Sequence, residues 1–147
     1  MADDEPDWLF QWFAPRISFD IEPKAFTVRA KDTSITIPTY LYLLNVNGRH
    51  RIVTVGEDPS VLDGAYRVDL FEGNDPPSDG FDKLDCLEAY VRYALSVLSQ
   101  KLGRRWGLRP IVVVHGVDNL ANAVGGYQRG LIREALNRAG AASVRFE

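Results

Sequence analysis

The chain has 147 residues, 46% of them hydrophobic and 25% charged, with a net charge of -3. That is one domain's length with enough apolar side chains for a core, and without the global basic field of a nucleic-acid coat protein. Its single cysteine, Cys86, excludes an internal disulfide; with only two histidines, His50 and His115, there is no Cys/His cluster at zinc-site spacing, and a reducing, cytoplasmic setting is expected.

The opening MADDEPDWLFQWF is acidic where a secretory signal is basic, and its apolar run is broken by Gln11. No stretch approaches the roughly 18 apolar residues of a membrane span. The chain therefore reads as neither secreted nor membrane-spanning, with an apolar and acidic leader over 1–15 and a single domain over 16–147. Ile17, Phe19 and Ile21 alternate with Ser18 and Asp20, the period of a strand, and Phe26, Val28 and Ala30 repeat it. Glu22, Pro23 and Lys24 form the turn between them. A third β-rich stretch, Ser34 to Leu44, contains Pro38, which cannot donate to a ladder and so marks an edge, a bend or a switch between sheets. Asn47-Gly48 predicts a hairpin turn, and Arg51 to Val55 a fourth strand. From 56 to 80 the Asp-Pro, Asp-Gly and Pro-Pro steps predict an irregular connection with room for one short strand around Tyr66 to Phe71.

Beyond Gly80 the period changes. Leu84, Leu87, Val91, Ala94, Leu95, Leu98 and Leu102 recur at three and four, a helix with Asp82 as N-cap and Lys101, Arg104 and Arg105 at its cationic end. PIVVV, Pro110 to Val114, reads as a strand buried on both faces. Tyr127, Leu131, Ile132, Ala135, Leu136 and Ala139 predict a second amphipathic helix ending at Gly140, and SVRFE a last strand. Hairpin-joined strands followed by helix, strand, helix, strand require antiparallel pairing first and parallel pairing last. The expected class is α/β, a mixed sheet with flanking helices in a ribonuclease-H-like arrangement.

The run RPIVVVHGVDNLANAVGGYQRGLIREALNRAGAASVRFE, Arg109 to Glu147, resembles a segment of the bacterial actin-like proteins of the MreB group. There an Arg-Pro-led strand, a polar loop, a helix spaced like REALNRAGA and a closing strand follow one another. WLFQWFAPRISFDIEPKAFTVRA is similar to that family's apolar N-terminal segment, first strand ending in Asp, phosphate loop and second strand, and ITIPTYLYLL with RIVTVGEDPSVL to its next strands. The resemblance covers the first half of an actin-like protein and implies an actin-like first domain, a cytoskeletal role in cell shape, and Mg-ATP at the turn after the first strand. In the family that turn resembles Asp-Leu-Gly-Thr-Ala-Asn, whose amides and hydroxyls wrap phosphates. Here it reads Asp20-Ile21-Glu22-Pro23-Lys24: Glu22 adds a negative charge and Pro23 removes an amide. The expected function is therefore a non-catalytic protein-interaction module with no cofactor, binding itself or a protein partner. Residual nucleotide binding would fall to Asp20, Lys24 and Gly116.

Other residues carry alternatives. Asp20, Glu88 and Asp118 occupy positions where ribonuclease-H-like nucleases hold Mg ions between carboxylates; the plain alternative for Glu88 is an ion pair with Arg92 one turn on. His115-Gly116 stands at the carboxyl end of a strand, where open α/β sheets bind ligands. Gly125-Gly126 precedes a helix, as a phosphate approach or a loop with unusual dihedrals. Lys101, Arg104, Arg105 and Arg109, with Trp106 among them, form a basic cluster, read as a capped helix end ahead of a nucleic-acid contact. Trp8, Leu9, Phe10, Trp12 and Phe13 are expected to pack on the domain or a partner, with a membrane surface as the alternative, against which Asp3, Asp4, Glu5 and Asp7 argue.

Overall fold

A computed structural model of the chain describes residues 15–59, 63–71, 83–103, 109–120 and 127–147. The elements are β1 (Arg16–Glu22), β2 (Ala25–Ala30), β3 (Thr33–Pro38), β4 (Tyr40–Val46), β5 (Arg49–Val55), β6 (Tyr66–Asp69), α1 (Lys83–Leu102), β7 (Ile111–His115), a 3-10 turn (Val117–Asn119), α2 (Tyr127–Arg138) and β8 (Ser143–Phe146). Five strands form one mixed sheet in the order β3-β2-β1-β7-β8. β1 pairs antiparallel with β2 and parallel with β7, so the strand led by Pro110 lies beside the first strand, as the expected topology requires.

Two antiparallel steps leave β3 parallel to β7, and β7 is parallel to β8. The crossovers through α1 and α2 therefore advance across the sheet in the same direction. Right-handed connections then place both helices on the same face. The contacts agree: Tyr90 of α1 meets Phe26 of β2 edge-on at 5.4 Å, while Arg133 of α2 lies over the Phe146 ring at 5.1 Å, and both rings belong to the same side of the sheet.

That side is the core. Ile17, Phe19 and Ile21, Phe26 and Val28, Val112 and Val114, and Val144 are buried against Leu87, Tyr90, Val91, Ala94 and Leu98 of α1 and Ile132, Ala135 and Leu136 of α2. The opposite face carries the polar half of the β1 and β2 alternations. Val113 and His115 turn to it and are half-buried, and Ile111 on the same face is only 3% exposed, so the PIVVV strand is covered on both faces at its amino end and opens on the far face toward His115.

The remaining strands depart from the single sheet expected. β5-β4-β6 is a separate antiparallel sheet. Pro38 is where the chain switches: it ends β3, Thr39 is buried, and Tyr40 opens β4 in the second sheet. Asn47 and Gly48 have φ of 54° and 79°, the paired left-handed conformation of a two-residue hairpin turn, and Gly48 N–H donates to Asn45 Oδ1 at 3.0 Å. No described helix is long and apolar enough to cross a membrane.

Candidate functional site

The turn between β1 and β2 is only Pro23 and Lys24, because Glu22 already pairs with Ala25. Neither turn residue has positive φ, consistent with proline at the second position of a common tight turn. Proline has no amide, so the turn itself offers an anion at most the Lys24 N–H. Lys24 instead contributes its carbonyl, which accepts from Thr39 N–H at 3.0 Å and ties the turn to the joint between the sheets.

The two-residue turn also fixes what faces Asp20. Asp20 stands opposite Thr27 on β2 and opposite His115 on β7, on the face away from the helices. Arg29 reaches diagonally across, its Nε 3.1 Å from Asp20 Oδ2. His115 Nδ1 lies 3.8 Å from a Glu147 carboxylate oxygen, and Glu147 N–H donates to Val114 O at 2.9 Å. A polar row thus crosses the sheet, from Thr27 on antiparallel β2 to Asp20, His115 and Glu147 at the carboxyl ends of the parallel strands β1, β7 and β8. Gly116 follows it with φ 84° and ψ 20°, a left-handed conformation that glycine adopts without a Cβ clash, where the chain turns into Val117–Asn119.

The structure does not bring Asp20, Glu88 and Asp118 together. Asp20 points away from the helix layer. Glu88 sits within that layer on α1, with Arg92 Nε 3.5 Å from its Oε2, the pairing expected from spacing four. Asp118 Oδ1 is 3.5 Å from Arg129 Nη2. Each carboxylate has its own arginine, and among the described residues no three His, Cys, Asp or Glu side chains form a metal-binding group.

At the joint a small cleft of about 60 Å³ opens between Pro23 and Lys24 on one side and Thr39, Tyr40, Arg67 and Asp69 on the other. The sequence reading missed it. Arg67 is held there twice over: its guanidinium lies 3.9 Å from the Tyr40 ring centroid, and Nε and Nη2 donate to Asp69 Oδ1 at 3.1 and 3.0 Å. The Asp69 hydrogen bond favours its charged form. Arg67 is thus already committed to neighbours, leaving Lys24 as the cation on the other wall.

The basic cluster divides. Lys101 Nζ donates to Ser34 O at 3.0 Å, and Arg109 donates to Gly140 O and Ala141 O at 3.0 and 2.9 Å. Both cations satisfy backbone carbonyls, Arg109 those just past the end of α2, the place where cations suit a helix terminus. Arg104, Arg105, Trp106, Asp82, Gly125, Gly126 and the leader residues Trp8, Leu9, Phe10, Trp12 and Phe13 lie outside the described residues.

Neither a family model nor a curated protein sequence matches the chain. Among solved structures it is similar to MreB5 of Spiroplasma citri bound to ADP, at 14% identity and a TM-score of 0.61, over 91% of this chain and 38% of that one. MreB5 of the same organism bound to AMPPNP matches at 12% identity and 0.59, with the same coverage. The apo psk41 ParM protein matches at 10% identity and 0.52, over 91% of this chain and 49% of that one. At these identities the likeness is one of fold: the mixed sheet and its two helices match the first-domain fold of actin-like proteins, and the chain spans less than half of each.

Proposed function

We propose that the chain is a non-catalytic, actin-like protein-interaction module of the cytoskeleton that associates with itself or with a full-length actin-like filament. One observation carries this most directly. In the fold it shares, the turn after the first strand is closed to two residues, Pro23 and Lys24, and the neighbouring Asp20 is paired with Arg29 at 3.1 Å. A phosphate cradle needs several convergent amides, and this turn, with Pro23 in it, offers at most the Lys24 N–H. With a nucleotide role unsupported at that point, the fold's remaining use is the surface it presents.

Sedimentation of the chain alone and with actin-like filaments, beside calorimetry with ATP and Mg²⁺, tests the proposal. Concentration-dependent association or co-sedimentation is expected, with no heat of nucleotide binding. A strict monomer that ignores filaments overturns it. Saturable ATP binding abolished by Lys24→Ala would transfer the assignment to residual nucleotide binding at Asp20, Lys24 and Gly116.

A further inference from the structure

The walls of the cleft at the joint are fixed by the fold itself. Thr39 N–H donates to Lys24 O and Leu70 N–H to Thr39 O, both at 3.0 Å, and Gly56 N–H donates to Tyr40 O at 2.8 Å, so backbone bonds tie the β1–β2 turn, the start of β4 and the segment leaving β6. Thr39 itself is buried. On one wall the Arg67 guanidinium is held by the Tyr40 ring and by Asp69, which takes Nε and Nη2; Nη1 has no hydrogen bond among the described residues. On the other, Lys24 is exposed, and its ammonium has neither ion pair nor hydrogen bond among the described residues. The lining thus sets two cations, Lys24 and Arg67, against the single carboxylate of Asp69, and Glu22 does not belong to it. One positive charge is left over.

We infer that the cleft is a socket for one carboxylate, carried by an acidic side chain of a protein partner. Size selects the carrier. At about 60 Å³ the cleft is well below the roughly 300 Å³ at which a free small molecule is held, so it seats a terminal anionic group and not the body of the molecule that brings it. The remaining binding energy has to come from contacts outside the cleft, which a protein surface supplies and a free carboxylic acid does not. Charge selects the group. A surplus of one positive charge matches a carboxylate, whereas a phosphate carries roughly two negative charges and draws on convergent amides. Pro23 removes one such amide from this wall. Lys24 brings rotatable donors on a flexible stem and Arg67 a planar fork already fixed in orientation, so seating an anion orders little beyond the lysine. Only the carrier being a protein rests on the proposed function; the size and charge of the socket do not.

NMR titration of the ¹⁵N-labelled chain tests it, with N-acetyl-glutamate methylamide as the probe of an acidic side chain and its glutamine counterpart as the neutral control. The glutamate probe should shift the amide signals of Lys24, Tyr40 and Arg67 saturably, and the glutamine probe should shift none. Lys24→Gln should weaken the binding about tenfold or more, the worth of a charge-assisted hydrogen bond, while Lys24→Arg keeps it. Lys24 gives the joint only its backbone carbonyl, so both variants should retain the parent spectrum elsewhere. No response to the glutamate probe, or an equal response to both probes, overturns the inference. Inorganic phosphate binding more tightly than the glutamate probe would make the cleft a phosphate subsite and overturn it too. Sedimentation of Lys24→Gln beside the parent separates this inference from the proposed function. Association weakened by a similar factor supports the socket; parent association that Lys24→Gln leaves unchanged overturns the inference and leaves the function standing. A parent that associates with nothing removes the function, and the protein carrier with it.

Discussion

Replacing Tyr90 by Phe isolates one hydrogen bond at the point where the two sheets meet. Tyr90 is fully buried, its ring packs edge-on against Phe26 at 5.4 Å, and its hydroxyl donates to Ile37 O, one residue before the Pro38 switch. Phenylalanine keeps the ring and its packing and removes only the donor. A buried acceptor losing its partner costs about 1–3 kcal/mol. For a domain near this size each kcal/mol shifts the melting temperature by about 4 °C, so a drop of about 4–12 °C is expected by calorimetry. Burial raises the phenol's pKa, with the Phe26 backbone N–H opposing the shift. A folded pKa above the unfolded value means that the folded chain holds this proton more tightly. The tyrosine's contribution is then complete below the unfolded value, about pH 10, and declines only above it. The deficit of the variant should accordingly be equal at about pH 6 and about pH 9 and shrink beyond about pH 10. A melting temperature unchanged by the substitution would refute the claim that this bond satisfies the Ile37 carbonyl.

Gly56→Ala should destabilise the fold by more than about 1 kcal/mol, read from denaturant midpoints, because Gly56 has φ +70° and a Cβ there would stand 2.7 Å from Ile37 Cγ2; a neutral result would mean that the joint is looser than its contacts imply. Asp20→Asn should leave the melting temperature within about 4 °C of the parent, since an ion pair exposed to this degree contributes at most about 1 kcal/mol. Millimolar Mg²⁺ or Mn²⁺ should not raise the melting temperature, each of Asp20, Glu88 and Asp118 being engaged by its own arginine; a saturable rise would show that the carboxylates converge after all.

Much of the fold was legible because its signals are local. Alternation placed β1 and β2, period three and four placed α1 and α2, and Asn47-Gly48 and Pro38 marked a turn and a switch by their own dihedral restrictions. What stayed hidden depends on pairing between distant segments. Nothing within Tyr40 to Asp69 states that its strands pair with one another and leave the first sheet, and nothing within PIVVV states which valine faces the helices. The candidate site was half legible for the same reason. Asp20 was visible, while its partner Arg29 required the hairpin register. That register follows from the turn, since a two-residue Pro23-Lys24 loop sets Ser18 against Arg29 and brings the guanidinium diagonally to Asp20. The Arg67 cleft had no such local signal, because it exists only where the two sheets approach.

The central position of β1 has a consequence for how the chain is made. Its neighbour β2 emerges from the ribosome at once, but its other neighbour, β7, begins only at Ile111. At synthesis rates of about 5–20 residues per second, the interval is on the order of 5–20 s. Throughout it the nascent chain carries a strand with one unpaired edge and with Ile17, Phe19 and Ile21 lacking most of their eventual cover, the kind of surface that recruits other strands. The sheet can close only after α1 has been made, so protection of the first strand during translation depends on β7, which starts only at Ile111. Loss of β7 and β8 by premature termination should therefore yield aggregated product, with no smaller folded domain in its place.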